Sequence, residues 1–201
     1  MTIVSHQFGF IFCKTRKTAG TSLEVYLGQR CGPRDVVTPI TPPNPLHHAR
    51  NNRGFNNHMP LSKVKAILGD DFGRYFKFCV ERHPVEKCIS HYAMLAYSPE
   101  HRKPGPRRSW DDYVRKGHFP MDYGMYTSEE GELLVDRIYR YEELDGMLAE
   151  LAERFGWPYE PLGVREKTGF RGEAPTVGDV TERQRQIIFE AFRPTLALVP
   201  Y

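Results

Sequence analysis

Cysteine is scarce and badly spaced for cross-linking: the 201 residues hold four, with no C-x-x-C pair and no zinc-finger spacing. Neither a disulfide framework nor a structural zinc site is therefore expected. Cys13 and Cys79 fall inside apolar runs, where a reduced thiol packs as a small hydrophobe. No apolar stretch approaches the ~20 residues of a membrane span, and the N-terminus lacks a basic segment followed by an apolar one and a cleavage site. A soluble, cytoplasmic protein is the expectation. Charge of one sign is scarce too: 28 Lys and Arg against 25 Asp and Glu leave a formal +3, scattered instead of gathered in a tail. That balance gives nucleic-acid binding no support and makes a local anion site the more economical reading. Internal repeats and low-complexity tracts are absent as well.

Apolar residues make up 40% and charged residues 26%, with 16 prolines and 17 glycines. This is the composition of a globular domain with sizeable structured loops, and one domain over 1–201 is expected. Phe8 to Cys13 is short and almost wholly apolar, as a strand buried on both faces requires. Thr21 to about Gln29 follows as a helix, punctuated by Gly32-Pro33. From Pro33 to Pro60 the chain is rich in Pro, Asn, His and Arg without a period. That is too long for a connector, so an acceptor-binding loop is expected at 33–60. Pro60, then Val64, Ile67 and Leu68 at helical spacing, with Gly69 as cap, predict a short helix.

Tyr75 to Val80 predicts a second buried strand, ending in Glu81-Arg82-His83-Pro84. Pro84 opens a helix with one apolar stripe, Val85, Cys88, Ile89, Tyr92 and Ala96. Ser109 caps a helix to Lys116. Val135 to Tyr141 predicts a third strand, and the stripe Leu144, Met147, Leu148, Leu151 and Phe155 a helix closed by Gly156 and Pro158. Thr181 with Gln184 forms the capping box of a terminal helix. Repeated strand-to-helix units predict an α/β sandwich with a mainly parallel sheet, which binds ligands at the C-terminal ends of its strands.

Two basic turns lie at such ends. In "KTRKTAGTS", Lys14, Arg16 and Lys17 supply cations, Thr18, Thr21 and Ser22 supply hydroxyls, and Gly20 lets the backbone approach a ligand as the helix begins. Backbone N–H groups at a helix N-terminus, with the dipole behind them, attract phosphate. The loop is not a Walker A motif, because Lys17 lies three residues before Gly20 and Thr21 follows it. The second turn places Arg82 at a strand end. Ser90 falls off the apolar stripe of the next helix at 100° per residue. Arg82 and Ser90 are candidates to grip a second phosphate.

"FIFCKTRKTAGTSLE" resembles the 5′-phosphosulfate-binding segment of sulfotransferases, an apolar strand followed by P-K-T-A/G-G-T-S. "FKFCVERHPVEKCISHY" resembles their 3′-phosphate-binding segment, a strand followed by R-x-P and then S-x-Y. A weaker similarity covers "VDRIYRYEELDGMLAELAERFGW". The resemblance implies a P-loop-like three-layer sandwich and no required metal. It implies transfer of the sulfuryl group of 3′-phosphoadenosine 5′-phosphosulfate to a hydroxyl acceptor, leaving adenosine 3′,5′-bisphosphate. Lys17 would contact the bridging oxygen of the leaving phosphate, and Thr18, Ala19, Gly20, Thr21 and Ser22 would cradle that phosphate. Arg82 and Ser90 would hold the 3′-phosphate. Position 16, usually Pro, is Arg here, and either a further phosphate contact by Arg16 or a different loop shape is open.

"NNHMPLSKVKAILG" resembles a segment of carbohydrate-type members in which a His ahead of the short helix acts as base. His58 is the first candidate, with His47 and His48 as substitutes. "REKTGFRG" resembles the family's basic segment that closes over the nucleotide, expected within 163–178. Lys167 and Arg171 would reach phosphate and Phe170 would stack on adenine. The acceptor implied is a carbohydrate or another hydroxylated metabolite, with neither membrane nor nucleic acid as partner. Two rivals remain at this level: a P-loop-like nucleotide or small-molecule kinase, which needs a magnesium site, and a non-catalytic nucleotide-binding module. Oligomeric state is not legible.

Overall fold

The structure, a computed structural model, describes residues 2–41, 43–99, 101, 106–163 and 173–201. It opens on a hairpin: β1 (Thr2–Ser5) runs antiparallel to β2 (Phe10–Cys13). Gly9 sits in the turn at φ 67°, a left-handed backbone that costs glycine little. Asp35 ties the hairpin down. Its buried carboxylate accepts from Ser5 Oγ and from the backbone N–H groups of His6, Gln7 and Gly32 at 2.8–3.0 Å.

After α1 (Gly20–Arg30) come β3 (Val36–Val37), α2 (Leu61–Leu68), a 3-10 turn (Gly69–Arg74), β4 (Phe76–Glu81) and α3 (Pro84–Tyr97). Then follow α4 (Trp110–Lys116), α5 (Tyr123–Tyr126), β5 (Arg137–Arg140), α6 (Leu144–Phe155), α7 (Glu182–Ala191) and α8 (Arg193–Leu198). The sheet order is β3-β1-β2-β4-β5. β2 pairs parallel with β4 and β4 with β5, whereas β1 pairs antiparallel with both β2 and β3. The expected mainly parallel sheet is thus mixed. The three strands that feed strand-to-helix units are parallel to one another, and β1 is reversed because a short turn joins it to β2, which only antiparallel strands allow.

The chain divides into two compact units, Met1–Glu81 with Asp122–Glu166, and Arg82–Met121 with Lys167–Tyr201. In the first, side chains alternate across the sheet as the pleat dictates. Phe10, Phe12, Phe78, Val80 and Tyr139 pack with Leu23 and Leu27 of α1 and Leu148 and Leu151 of α6. Ile11, Cys13 and Cys79 face the other way and pack with Leu61 and Val64 of α2 and with Phe72. Helices therefore cover both faces of the sheet, giving the three layers expected. In the second unit, the stripe Val85, Cys88, Ile89, Tyr92 and Ala96 of α3 packs with Tyr113 and Val114 of α4, and with Ile188 and Phe192. Ser109 caps α4 by accepting from the N–H of Asp112, and Thr181 and Gln184 form both bonds of the capping box at α7. Among the described residues no helix is long and apolar enough to cross a membrane.

Candidate active site

β2 and β4 lie side by side, with Cys13 opposite Cys79, and each runs into a basic turn. The first turn occupies residues 14–19 before α1 begins at Gly20. Two of its non-glycine residues have left-handed backbones, Lys17 at φ 63° and Ala19 at φ 56°. Such residues cost of order 1–3 kcal/mol each and gather at functional sites. Ala19 occupies the N-cap position, and no side chain caps the helix there. An uncapped helix start, with the helix dipole behind its first-turn amides, is suited to an anion. Lys17 and Arg16 stand at the outer side of the turn, Lys17 half-buried and Arg16 exposed.

The inner side of the turn is tied down by hydroxyls. Thr15 Oγ1 donates to the carbonyl of Val80 and lies 2.9 Å from Thr18 Oγ1, which reaches the Thr15 carbonyl at 3.2 Å. Thr18 is fully buried, and its hydroxyl braces the loop. Ser22 is buried and Thr21 half-buried in the first turn of α1.

Lys14 lies behind the cradle. Its ammonium is 2.8 Å from Oε2 of the fully buried Glu24 and 3.3 Å from Thr21 Oγ1. The Lys14 stem crosses directly over Gly20: a Cβ there would come within 2.7 Å of Lys14 Cγ and 2.8 Å of Cε. Glycine at position 20 is needed for this close crossing. Arg16 is held in two places by Asp122, which precedes α5. Its backbone N–H donates to Oδ2 at 2.7 Å and its Nε–H to Oδ1 at 2.8 Å.

Among the three loop histidines, His58 meets the cradle. Its backbone is left-handed at φ 54°, and Nδ1 lies 3.3 Å from the Lys14 carbonyl. A carbonyl only accepts, so Nδ1 carries the proton and Nε2 keeps its lone pair. Burial first, then neighbouring positive charge including Lys14, pushes the imidazole pKa down to about 4, against the opposing pull of Asp122. His47 is directed elsewhere, with Nε2 2.9 Å from the Thr38 carbonyl, and burial lowers its pKa also. His48 is exposed, and its carbonyl accepts from Arg50.

The second turn belongs to the other unit. Arg82, 7% exposed, places Nε and Nη2 at 3.3 and 3.1 Å from Oε2 of Glu86. Glu86 and Ser90 are four residues apart on α3 and so share a face. Ser90 is half-buried and off the buried stripe, as its spacing predicted. Lys167, Phe170 and Arg171 lie outside the described residues. Burial raises the Cys13 thiol strongly and pushes Cys31 and Cys88 up to about 12, which disfavours cysteine chemistry at those positions, and none of the four cysteines is in a disulfide.

Glu24, Glu86 and Asp122 were not singled out from the sequence. A lone carboxylate between Leu23 and Val25, in a helix buried almost all round, signals a buried cation partner and would have pointed to Lys14. Glu86 is visible as an i,i+4 partner of Arg82, but Asp122 has no local pattern to betray it. The model of the sulfotransferase family matches residues 1–154, a span that contains the Lys14–Ser22 turn, His58, Arg82, Ser90 and every strand of the sheet. No curated protein matches the chain. Motif order, fold and matched span agree, and the chain belongs to the sulfotransferase family.

Proposed function

We propose that the protein transfers the sulfuryl group of 3′-phosphoadenosine 5′-phosphosulfate to a hydroxyl of a carbohydrate or another hydroxylated metabolite, by in-line attack. The observation that carries this reading is the strained turn of Lys17 and Ala19 at the uncapped start of α1, with His58 hydrogen-bonded to its first residue. Negative charge grows on the leaving 5′-phosphate as the S–O bond breaks. A cation and aligned amides fixed at that place stabilise the transition state more than the ground state. Lys17 fills the first role, and the amides of Ala19, Gly20, Thr21 and Ser22 fill the second.

His58 is the base. As the acceptor oxygen bonds to sulfur, its proton passes to Nε2, and the bisphosphate departs with the electrons of the broken S–O bond. In the unliganded protein Arg82 rests on Glu86, and donor binding exchanges that carboxylate for the 3′-phosphate, with Ser90 on the same helix face. Lys167, Phe170 and Arg171 complete the nucleotide site. Loop 33–60 selects the acceptor.

Calorimetric titration with adenosine 3′,5′-bisphosphate, and in parallel with ATP and magnesium, tests the donor. Binding of the bisphosphate that is weakened at least tenfold in Arg82→Ala and in Lys17→Ala is expected, since one charge-assisted contact contributes about 1.5–3 kcal/mol. Preference for ATP with magnesium would return the loop to the kinase reading.

A further inference from the structure

The Asp122 side chain is 1% exposed. A carboxylate is buried at a cost unless it is paired and hydrogen-bonded, and here both oxygens engage one residue, Arg16, through its backbone N–H at 2.7 Å and its Nε–H at 2.8 Å. The amide bond fixes the peptide plane between Thr15 and Arg16 and the Nε bond fixes the side chain, so the residue just before Lys17 is anchored at two points. The next three residues are Lys17 at φ 63°, Thr18 with its hydroxyl turned inward onto Thr15, and Ala19 at φ 56°. Two left-handed residues within three positions persist only where their surroundings over-determine them, and Asp122 supplies that restraint from 106 residues away in sequence.

We infer that Asp122 is a positioning residue of the phosphate loop, acting through Arg16 to hold Lys17 in the conformation that receives the ligand. Resting on the proposed function, it assigns to Arg16 the part of a conformational lock. A proline would do the same work by a different route, because its ring fixes φ and it has no N–H in need of an acceptor.

The test compares wild type, Asp122→Ala and the double variant Asp122→Ala with Arg16→Pro. The readouts are titration with adenosine 3′,5′-bisphosphate and amide hydrogen exchange over residues 17–22 of the unliganded protein. Asp122→Ala is expected to weaken bisphosphate binding about tenfold, the loss associated with a charge-assisted contact, and to speed exchange in the loop. The double variant is expected to recover both, which a merely destabilised protein would not do. Unchanged exchange and affinity in Asp122→Ala, or no recovery in the double variant, overturns the assignment. If Asp122→Ala does not fold, Asp122→Asn, which keeps the volume and loses the charge, takes its place with the same expected direction. A wild-type protein that binds no bisphosphate defeats the proposed function alone, because the exchange measurement needs no ligand and still decides the role of Asp122.

Discussion

His58 is held neutral by its surroundings, and this has a measurable sign. Its pKa is lowered from 6.5 to about 4, burial being the largest cause. Between those values the unfolded chain binds a proton that the folded protein refuses, so stability contributed by this site is intact above pH 6.5 and falls as the pH drops toward 4. In His58→Gln that part of the decline between pH 6.5 and 4 is expected to flatten, as followed by urea midpoints at several pH values. On the proposed role of His58 as base, the acid limb of kcat/KM is expected near pH 4 instead of 6.5, because that parameter reports the free enzyme. At the residue scale the place of His58, just ahead of a short helix, was legible in the sequence. Its hydrogen bond to the Lys14 carbonyl was not, because no local spacing links residues 14 and 58.

The turn and α1 behave as one element, locked by Lys14. Its stem passes over Gly20 and its ammonium reaches Glu24. Gly20→Ala drives a Cβ into Lys14 Cγ and forces the buried ion pair apart. Overpacking of this kind costs about 1–3 kcal/mol, and a lowered urea midpoint with unchanged slope is the expected result; an unchanged midpoint would show that Lys14 braces nothing. Removing the carboxylate in Glu24→Leu leaves a buried cation uncompensated, a loss of about 3–5 kcal/mol, which thermal melting will register as the larger of the two. Elements with end signals were read well: Gly69 caps α2 at φ 56° and ψ −133°, Gly156 caps α6 in left-handed geometry, and the Thr181 capping box forms as spelled. β1 and β3 were not read. Thr2–Ser5 is too short to show a period, and Val36–Val37 is a two-residue strand within a loop, defined by long-range pairing with β1 and with Arg50.

On the scale of the molecule, the second unit is assembled from separated parts of the chain, with α3 and α4 from one and α7 and α8 from the other. The match to the family ends at residue 154, yet Val180, Ile188 and Phe192 beyond it are buried against the stripe of α3. Trp110 Nε1 donates to Gln184 Oε1, and Gln184 Nε2 donates to Asp111, which joins α4 to α7. A chain truncated after residue 163 therefore exposes an apolar face on the helix that carries Ser90. Such a chain is expected to bind a hydrophobic dye and to aggregate, whereas a soluble fragment with unchanged bisphosphate affinity would show α7 and α8 to be dispensable. The strand-to-helix rhythm was visible in the sequence. This long-range return was not, because capping boxes mark where a helix starts and carry no address for its partner.

The clamp on Arg16 also imposes an order on synthesis. A ribosome adding about 5–20 residues per second releases Arg16 roughly 5–20 s before Asp122, which follows 106 residues later. Over that interval the nascent chain has the turn's residues but not the carboxylate that holds Arg16, so on the role inferred for Asp122 the turn stays slack until the segment after α4 has emerged.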